Sequence, residues 1–345
     1  MIGHNICGIP FTNLAFHVDP ISRDKLVSSV CCPTWLFPPY NTFDKIVSEK
    51  ESGKLDIMDF WNSDEMVTFR KSIVDGTYSF CNKETCPSYL SGALKPLPNR
   101  ARELINKGVY EMDYPPIHIL ANIDLSCNLS CPSCRKSPDM VSNQKSYARM
   151  VSILSSGVTS IYVNGTGELF KNRYLLDALN EISEQAYPNL KKIEIITNGT
   201  LLNNTMWSSL SEGFRRVIKS ISVSVDAGTE QTYKKIRVGG NFDRLVSNLH
   251  FIGKLRKEKK IENFVISMVL QKNNTHELLD FCKLAKQVGV DGVCILKIEN
   301  WYVQPIEEFS ENQELPANWR NTFADRIREA KEFAKSNGMY IYTNL

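Results

Sequence analysis

The residues best able to do chemistry lie in Ser126-Cys127-Asn128-Leu129-Ser130-Cys131-Pro132-Ser133-Cys134-Arg135, with three cysteines at C-x3-C-x2-C spacing. Three thiolates this close can hold three irons of a [4Fe–4S] cluster, which takes cysteine sulfur as ligand. The fourth iron is then left without a protein ligand, and an open coordination position marks a reactive metal site. A chance cysteine triplet, or half of a zinc ribbon, is the competing reading. A second group comprises Cys7, the pair Cys31-Cys32, and Cys81-x4-Cys86. Four ligands drawn from Cys7, Cys31 or Cys32, Cys81 and Cys86 would close one metal centre fully, as a cluster or as a structural zinc site. Cys282 and Cys294 lack metal spacing. A buried free cysteine is usually a small core residue; the sharper alternative is that Cys294 donates a hydrogen atom to a substrate radical.

These groups need elements to position them. The stretch Ile117–Leu125 reads as a strand, so the first cysteine group sits on a loop past a strand's carboxyl end. Further strands are expected at Ser160–Asn164, Lys192–Thr197, Ser220–Asp226, Asn263–Leu270 and Gly292–Ile298. Helical patterns separate them at Tyr147–Ser156, Tyr174–Ala186, Met206–Phe214, Asn241–Lys257 and Thr275–Val288. This alternation predicts right-handed βαβ units and a parallel sheet, an α/β fold of the partial (β/α)6 TIM-like barrel type. Such barrels work at the carboxyl ends of their strands. There lie Gly165-Thr166-Gly167-Glu168, a glycine loop ending in a carboxylate that can accept bonds from an ammonium, then Asn198-Gly199, then Asp226. Strict alternation in Ile221–Asp226 puts Ser222, Ser224 and Asp226 on one face; a solvated strand face is the plainer reading. After Trp301 an amphipathic helix over Asn318–Ser336 and a strand over Met339–Tyr342 are expected to cover the open edge.

The chain has 345 residues and a formal net charge of +3, which suits two ordinary globular domains and gives no basic field for nucleic acid. No apolar run is long enough to span a bilayer. Met1–Pro10 lacks the pattern of a secretory signal. Ten cysteines without a signal point to metal or redox chemistry in a reducing cytoplasm. The expected division is a small, irregular, cysteine-ligated domain over residues 1–90, a proline-bounded linker over 91–113, and the barrel over 114–345. In the first domain, helices are expected at Phe43–Ser52 and Asp64–Asp75, and Cys31 follows a hairpin. In the linker, Asn99–Lys107 reads as a short helix stopped by Gly108.

The cysteine triplet resembles that of the radical S-adenosylmethionine (SAM) superfamily. The resemblance continues in Val163–Glu168, Ile221–Asp226, Thr232–Arg237, Arg237–Leu245, Gln271–Asn274 and Ile298–Trp301, and so covers nearly all of the second domain. It implies that Cys127, Cys131 and Cys134 hold a [4Fe–4S] cluster and that SAM binds the open iron. Gly165, Thr166, Gly167 and Glu168 match the loop that holds SAM's amino group, with Thr166 replacing a glycine. Asn198, Ser224 and Asp226 are the polar groups on offer to SAM, and Arg237 is the candidate for its carboxylate. Ser133 stands where the family usually has an aromatic residue against adenine, so adenine must be held elsewhere.

The N-terminal stretches Ile6–Thr12, Cys31–Leu36, Asp59–Ser63, Arg70–Gly76 and Cys81–Pro87 resemble the SPASM domain, an auxiliary-cluster module found with many radical SAM enzymes. The module usually follows the radical SAM domain; here it precedes it. Lys25-Leu26-Val27 replaces the usual glycine ahead of the cysteine pair. The resemblance implies a second [4Fe–4S] cluster, with family spacing favouring Cys31 over Cys32. The whole implies an enzyme that cleaves SAM reductively and abstracts hydrogen from a substrate, with net oxidation of a small molecule or sugar. The alternatives are a ribosomal-peptide maturase and a non-enzymatic iron–sulfur or zinc scaffold. An electron donor such as flavodoxin or ferredoxin is implied as partner.

Overall fold

The computed structural model describes residues 6–18, 25–31, 35–37, 52–135, 141–163, 167–300 and 305–343. The chain divides into two compact units. The first comprises Met1–Leu125, Asn143–Thr166 and Asp177–Lys192; the second comprises Ser126–Ser142, Gly167–Leu176 and Ile193–Leu345.

The first unit holds strands β1 (Asn13–Val18), β2 (Leu26–Ser29), β3 (His118–Asn122) and β4 (Ser160–Val163). β1 and β2 form the expected antiparallel hairpin, and β1 also pairs parallel with β3, which pairs parallel with β4. Its helix Asp64–Val74 starts where Ser63 accepts from the Met66 N–H. Arg70 on that helix is fully buried. It donates to the carbonyls of Pro10 (2.9 Å), Trp61 (2.8 Å) and Tyr110 (3.1 Å), with its guanidinium carbon 4.3 Å from the Trp61 ring centroid. Burial depresses the Arg70 pKa to about 10, so the group stays charged at neutral pH while it bonds three backbone carbonyls. His17 on β1 bonds Ser29 Oγ (3.1 Å) and Asn122 (2.8 Å), linking three strands.

The second unit holds β5 (Lys192–Thr197), β6 (Ile218–Ser224), β7 (Asn263–Leu270), β8 (Gly292–Lys297) and β9 (Tyr340–Thr343). All their described pairings are parallel and run in chain order. Neither set of strands closes on itself, which agrees with a partial barrel. One face is apolar and buried, through Ile221, Val223, Phe264, Ile266, Val293 and Ile295. On the other, Ser224, Ser267 and Cys294 stand level in register and are partly exposed. This is the period-two pattern of a sheet with one covered and one working face.

Several expected elements differ: the strand expected over Ile117–Leu125 is His118–Asn122, the helix expected over Tyr174–Ala186 is Arg173–Asn180, and three more depart as follows. β6 ends at Ser224, not Asp226, because Asp226 turns to φ +63° while the Val225 and Asp226 N–H groups both donate to Ser267 O. Asp226 is therefore not on the serine face by strand alternation. The helix expected over Met206–Phe214 is two, Asn204–Ser209 and Glu212–Val217. Leu210 is extended, and Ser211 starts the second helix by accepting from the Phe214 N–H. The last helix divides at Phe323 into Trp319–Thr322 and Ala324–Ser336. Residues 43–51 of the expected helix Phe43–Ser52 lie outside the described residues.

Candidate active site

The cysteine loop follows β3 in sequence. Its last part is a tight turn in which the Cys134 and Arg135 N–H groups both donate to Cys131 O at 2.9 Å. The Ser130 N–H donates to Val238 O at 2.9 Å, which ties the loop to the segment after helix Glu230–Ile236. Cys127 and Cys131 are buried and Cys134 is exposed.

Each of the three sulfurs faces a side-chain N–H donor. Asn198 Nδ2 lies 3.8 Å from Cys127 Sγ, Arg237 Nη1 3.7 Å from Cys131 Sγ, and Arg135 Nη2 3.5 Å from Cys134 Sγ. A neutral thiol accepts weakly, whereas a thiolate accepts well. Burial pushes the Cys127 and Cys131 thiols up, opposed at Cys131 by the Arg237 charge. Metal binding removes such protons outright. Hydrogen bonds to the sulfurs are also among the levers that set an iron–sulfur potential. The donor set therefore fits an iron–sulfur cluster. Among the described residues, no three His, Cys, Asp or Glu side chains stand close enough to hold a single metal ion.

Asn198 is the hub. Its Nδ2 donates to Asn128 Oδ1 (3.0 Å), and its Oδ1 accepts from the Thr200 N–H (3.0 Å) and hydroxyl (2.7 Å). Asn128 in turn donates to Thr200 Oγ1 at 2.9 Å. Gly199 makes this turn possible. Its φ is +73°, and a Cβ there would lie 2.6 Å from Val223 Cγ1. The sequence signal was the Asn-Gly pair after a strand; Asn128, Thr197 and Thr200 were not singled out, because single polar loop residues carry no pattern.

Glu168 is 2 % exposed. Its Oε1 accepts from the Thr197 hydroxyl (2.7 Å) and the Phe170 N–H (3.2 Å), and its Oε2 from the Asn198 N–H (2.7 Å). Burial pushes this carboxyl up, and these bonds with Arg237 pull it partly back. A carboxylate offers about four acceptor positions, so Oε2 retains one for a cationic ligand. Arg237 is paired with Asp226 at 2.7 Å, and both side chains are largely buried. Burial opposes its charge, but Asp226 and Cys131 together hold its pKa above the usual value. Asp226 also accepts from the Val269 N–H at 2.7 Å. Gly167 is partly buried; Asn164, Gly165, Thr166, Cys32 and Trp301 lie outside the described residues.

In the first unit, Cys7, Cys31, Cys81 and Cys86 line one pocket with Pro10, Trp35, Phe69, Ile73, Tyr78 and Tyr89. Leu36 and Cys81 form an isolated antiparallel bridge, and the Asn82 N–H donates to Trp35 O at 2.8 Å. The Cys7 N–H donates to the Tyr78 hydroxyl at 3.1 Å. Burial, with the neighbouring Cys7 and Cys86, pushes the Cys81 thiol up to about 12. Cys282 is buried in helix Leu278–Val288, and Cys294 is partly exposed on the serine face.

No protein-family model matches the chain. It is 24 % identical over 177 residues to a probable GTP 3′,8-cyclase of Sulfurisphaera tokodaii, a match covering 50 % of this chain and 53 % of the relative. It is 25 % identical over 195 residues to the GTP 3′,8-cyclase of Limosilactobacillus fermentum, covering 54 % of this chain and 55 % of the relative. The chain thus spans about half the length of the curated relatives it matches. The crystal structure of Streptococcus suis SuiB shares the fold, with a TM-score of 0.50 at 12 % identity over 99 % of this chain and 71 % of that one. These comparisons support the radical SAM superfamily as the class and, with it, an enzyme. No described helix is long and apolar enough to cross a membrane.

Proposed function

We propose that this chain is a radical SAM enzyme whose cysteine loop, Cys127, Cys131 and Cys134, holds a [4Fe–4S] cluster with one open iron for SAM. The observation that carries the reading is the N–H donor at each loop sulfur, beside a buried carboxylate with unused acceptor capacity. When bound, the cluster would supply the one-electron reduction of SAM's sulfonium that releases methionine and equips the site for hydrogen abstraction from a substrate. Glu168 accepts from SAM's ammonium through Oε2, with Gly165, Thr166 and Gly167 as its loop. Asn198 fixes Asn128 and the Cys127 sulfur. Ser224 and Ser267 offer hydroxyls to the ribose. Arg237, held by Asp226, serves the Cys131 sulfur.

Cys7, Cys31, Cys81 and Cys86 hold a second [4Fe–4S] cluster in a SPASM-like domain over residues 1–90, joined by a linker over 91–113 to the radical SAM domain over 114–345. The net reaction we favour is oxidation of a small molecule or sugar, with the second cluster taking the substrate electron. The relatives are named for GTP, and a nucleotide belongs in the same substrate screen, as does a peptide. The proposed setting is the reducing cytoplasm, with flavodoxin or ferredoxin as donor.

The test is anaerobic reconstitution with iron and sulfide, then SAM and dithionite. The reading expects a brown protein that forms 5′-deoxyadenosine, and none from the variant with Cys127, Cys131 and Cys134 all changed to alanine. Unchanged product from that variant, or a colourless zinc protein, refutes it.

A further inference from the structure

Asp226 is held in a conformation that non-glycine residues rarely adopt, with φ at +63°. Such residues persist only where their surroundings fix them, and they collect at functional sites. Asp226 is fixed on three sides. Its N–H, like that of Val225, donates to Ser267 O. Its carbonyl accepts from Nδ2 of the fully buried Asn274 at 2.9 Å. Its Oδ1 accepts from the Val269 N–H at 2.7 Å. All three anchors come from β7 and the turn after it. They leave Oδ2 against Arg237 Nη2, 2.7 Å away. The other end of the same guanidinium, Nη1, lies 3.7 Å from Cys131 Sγ. Arg237 is fixed in its turn. Its backbone N–H donates to Tyr233 O at 2.7 Å, and the next carbonyl, Val238 O, accepts from Ser130 in the cysteine loop. Carboxylate, guanidinium and sulfur thus stand in a fixed order.

The Arg237 and Asp226 side chains are 13 % and 4 % exposed. Charges so buried act over a longer range than surface charges and are screened less by salt. The backbone contacts of residue 226 do not need its charge, since an amide oxygen would accept from Val269 equally well. A buried ion pair is also a weak source of stability. We infer that Asp226 is a positioning residue that sets the reduction potential of the cluster on the Cys127–Cys134 loop by offsetting the charge of Arg237. The two residues act on that potential with opposite sign. The inference rests on the radical SAM reading of the loop. Reduction by one electron adds negative charge at the sulfurs, and polar contacts there are levers on the potential. A cation against Cys131 Sγ favours the reduced form; the carboxylate behind it opposes this. An uncompensated arginine would ease reduction but make the reduced cluster a weaker electron donor to SAM. Asp226 restores part of that donor strength and still keeps the Arg237 N–H on the sulfur.

The experiment is an EPR-monitored redox titration of the reconstituted full chain without SAM, so that any contact between Arg237 and SAM plays no part. It follows the signal lost when Cys127, Cys131 and Cys134 are alanine. Asp226→Asn should keep its iron and become roughly tenfold easier to reduce, about 59 mV upward for one electron. Arg237→Gln should move the potential downward by a similar factor. The double variant, which buries no lone charge, should keep its iron and fall between the two. If Arg237→Gln alone does not hold the cluster, a double-variant potential below that of Asp226→Asn carries the same sign. Unmoved potentials, shifts of one sign in both single variants, or loss of the cluster from the double variant each overturn the inference. If wild type holds no cluster that depends on those cysteines, the functional reading itself fails, a result distinct from an unmoved Asp226→Asn potential.

Discussion

The chain carries two cysteine sets in two kinds of surroundings. The four thiols of Cys7, Cys31, Cys81 and Cys86 line a pocket walled by proline, aromatic and aliphatic side chains. The three of the Cys127–Cys134 loop face amide and guanidinium donors and have Glu168 beside them. Apolar walls with four possible ligands suit a centre that is closed and holds its domain together. Polar donors, three ligands and a carboxylate with room to accept suit a centre that meets a charged small molecule. On the proposed reading the same residue type has two uses, and the neighbours decide which.

The largest effect should come from the loop. Alanine at Cys127, Cys131 and Cys134 should reduce 5′-deoxyadenosine to background while the N-terminal iron remains, as read by product and iron analysis. Cys81→Ala should act differently, losing the other share of the iron and lowering stability by several kcal/mol, because metal binding is folding energy in such small modules. If Cys81→Ala left stability and iron untouched, the pocket would not be a metal site and the contrast would collapse.

The framework around that pocket sharpens the contrast further. Arg70→Leu should cost about 3–5 kcal/mol in denaturant unfolding, since it strands buried carbonyls that the guanidinium now serves. Burial lowers the His17 pKa to about 4 from 6.5. The unfolded chain therefore binds that proton more readily. Stability is fully present above pH 6.5 and is lost as pH falls toward 4, by about 3 kcal/mol. Iron-free protein compared at pH 7 and pH 4 should show this drop, and His17→Gln should flatten it. Smallest is Glu168→Gln, which should keep its iron yet weaken SAM binding by about 1.5–3 kcal/mol, roughly ten- to hundredfold in the equilibrium constant. Calorimetry showing wild-type affinity would remove Glu168 from the site.

Much of this was legible in the sequence. The cysteine spacing is a compact local motif and the strand–helix rhythm is periodic, so both show in the sequence, and β5, β7 and β8 fall within a residue of their expected bounds. What escaped was set by single dihedrals and long-range pairs. Asp226 leaves its strand through a left-handed φ that no pattern announces, and so meets Arg237. Arg237 is expected from the resemblance to pair SAM's carboxylate, and no pattern announces its contacts with Cys131 Sγ and Asp226. The break at Leu210 follows from a cap at Ser211 inside an otherwise helical run.

The central claim is that SAM meets one of two clusters, the one on the Cys127–Cys134 loop. The direct measurement is EPR of the dithionite-reduced, reconstituted chain with and without SAM. The account predicts that SAM changes the signal that depends on Cys127, Cys131 and Cys134 and leaves the other unaltered. A signal indifferent to SAM, or one that responds after those three cysteines are gone, contradicts it.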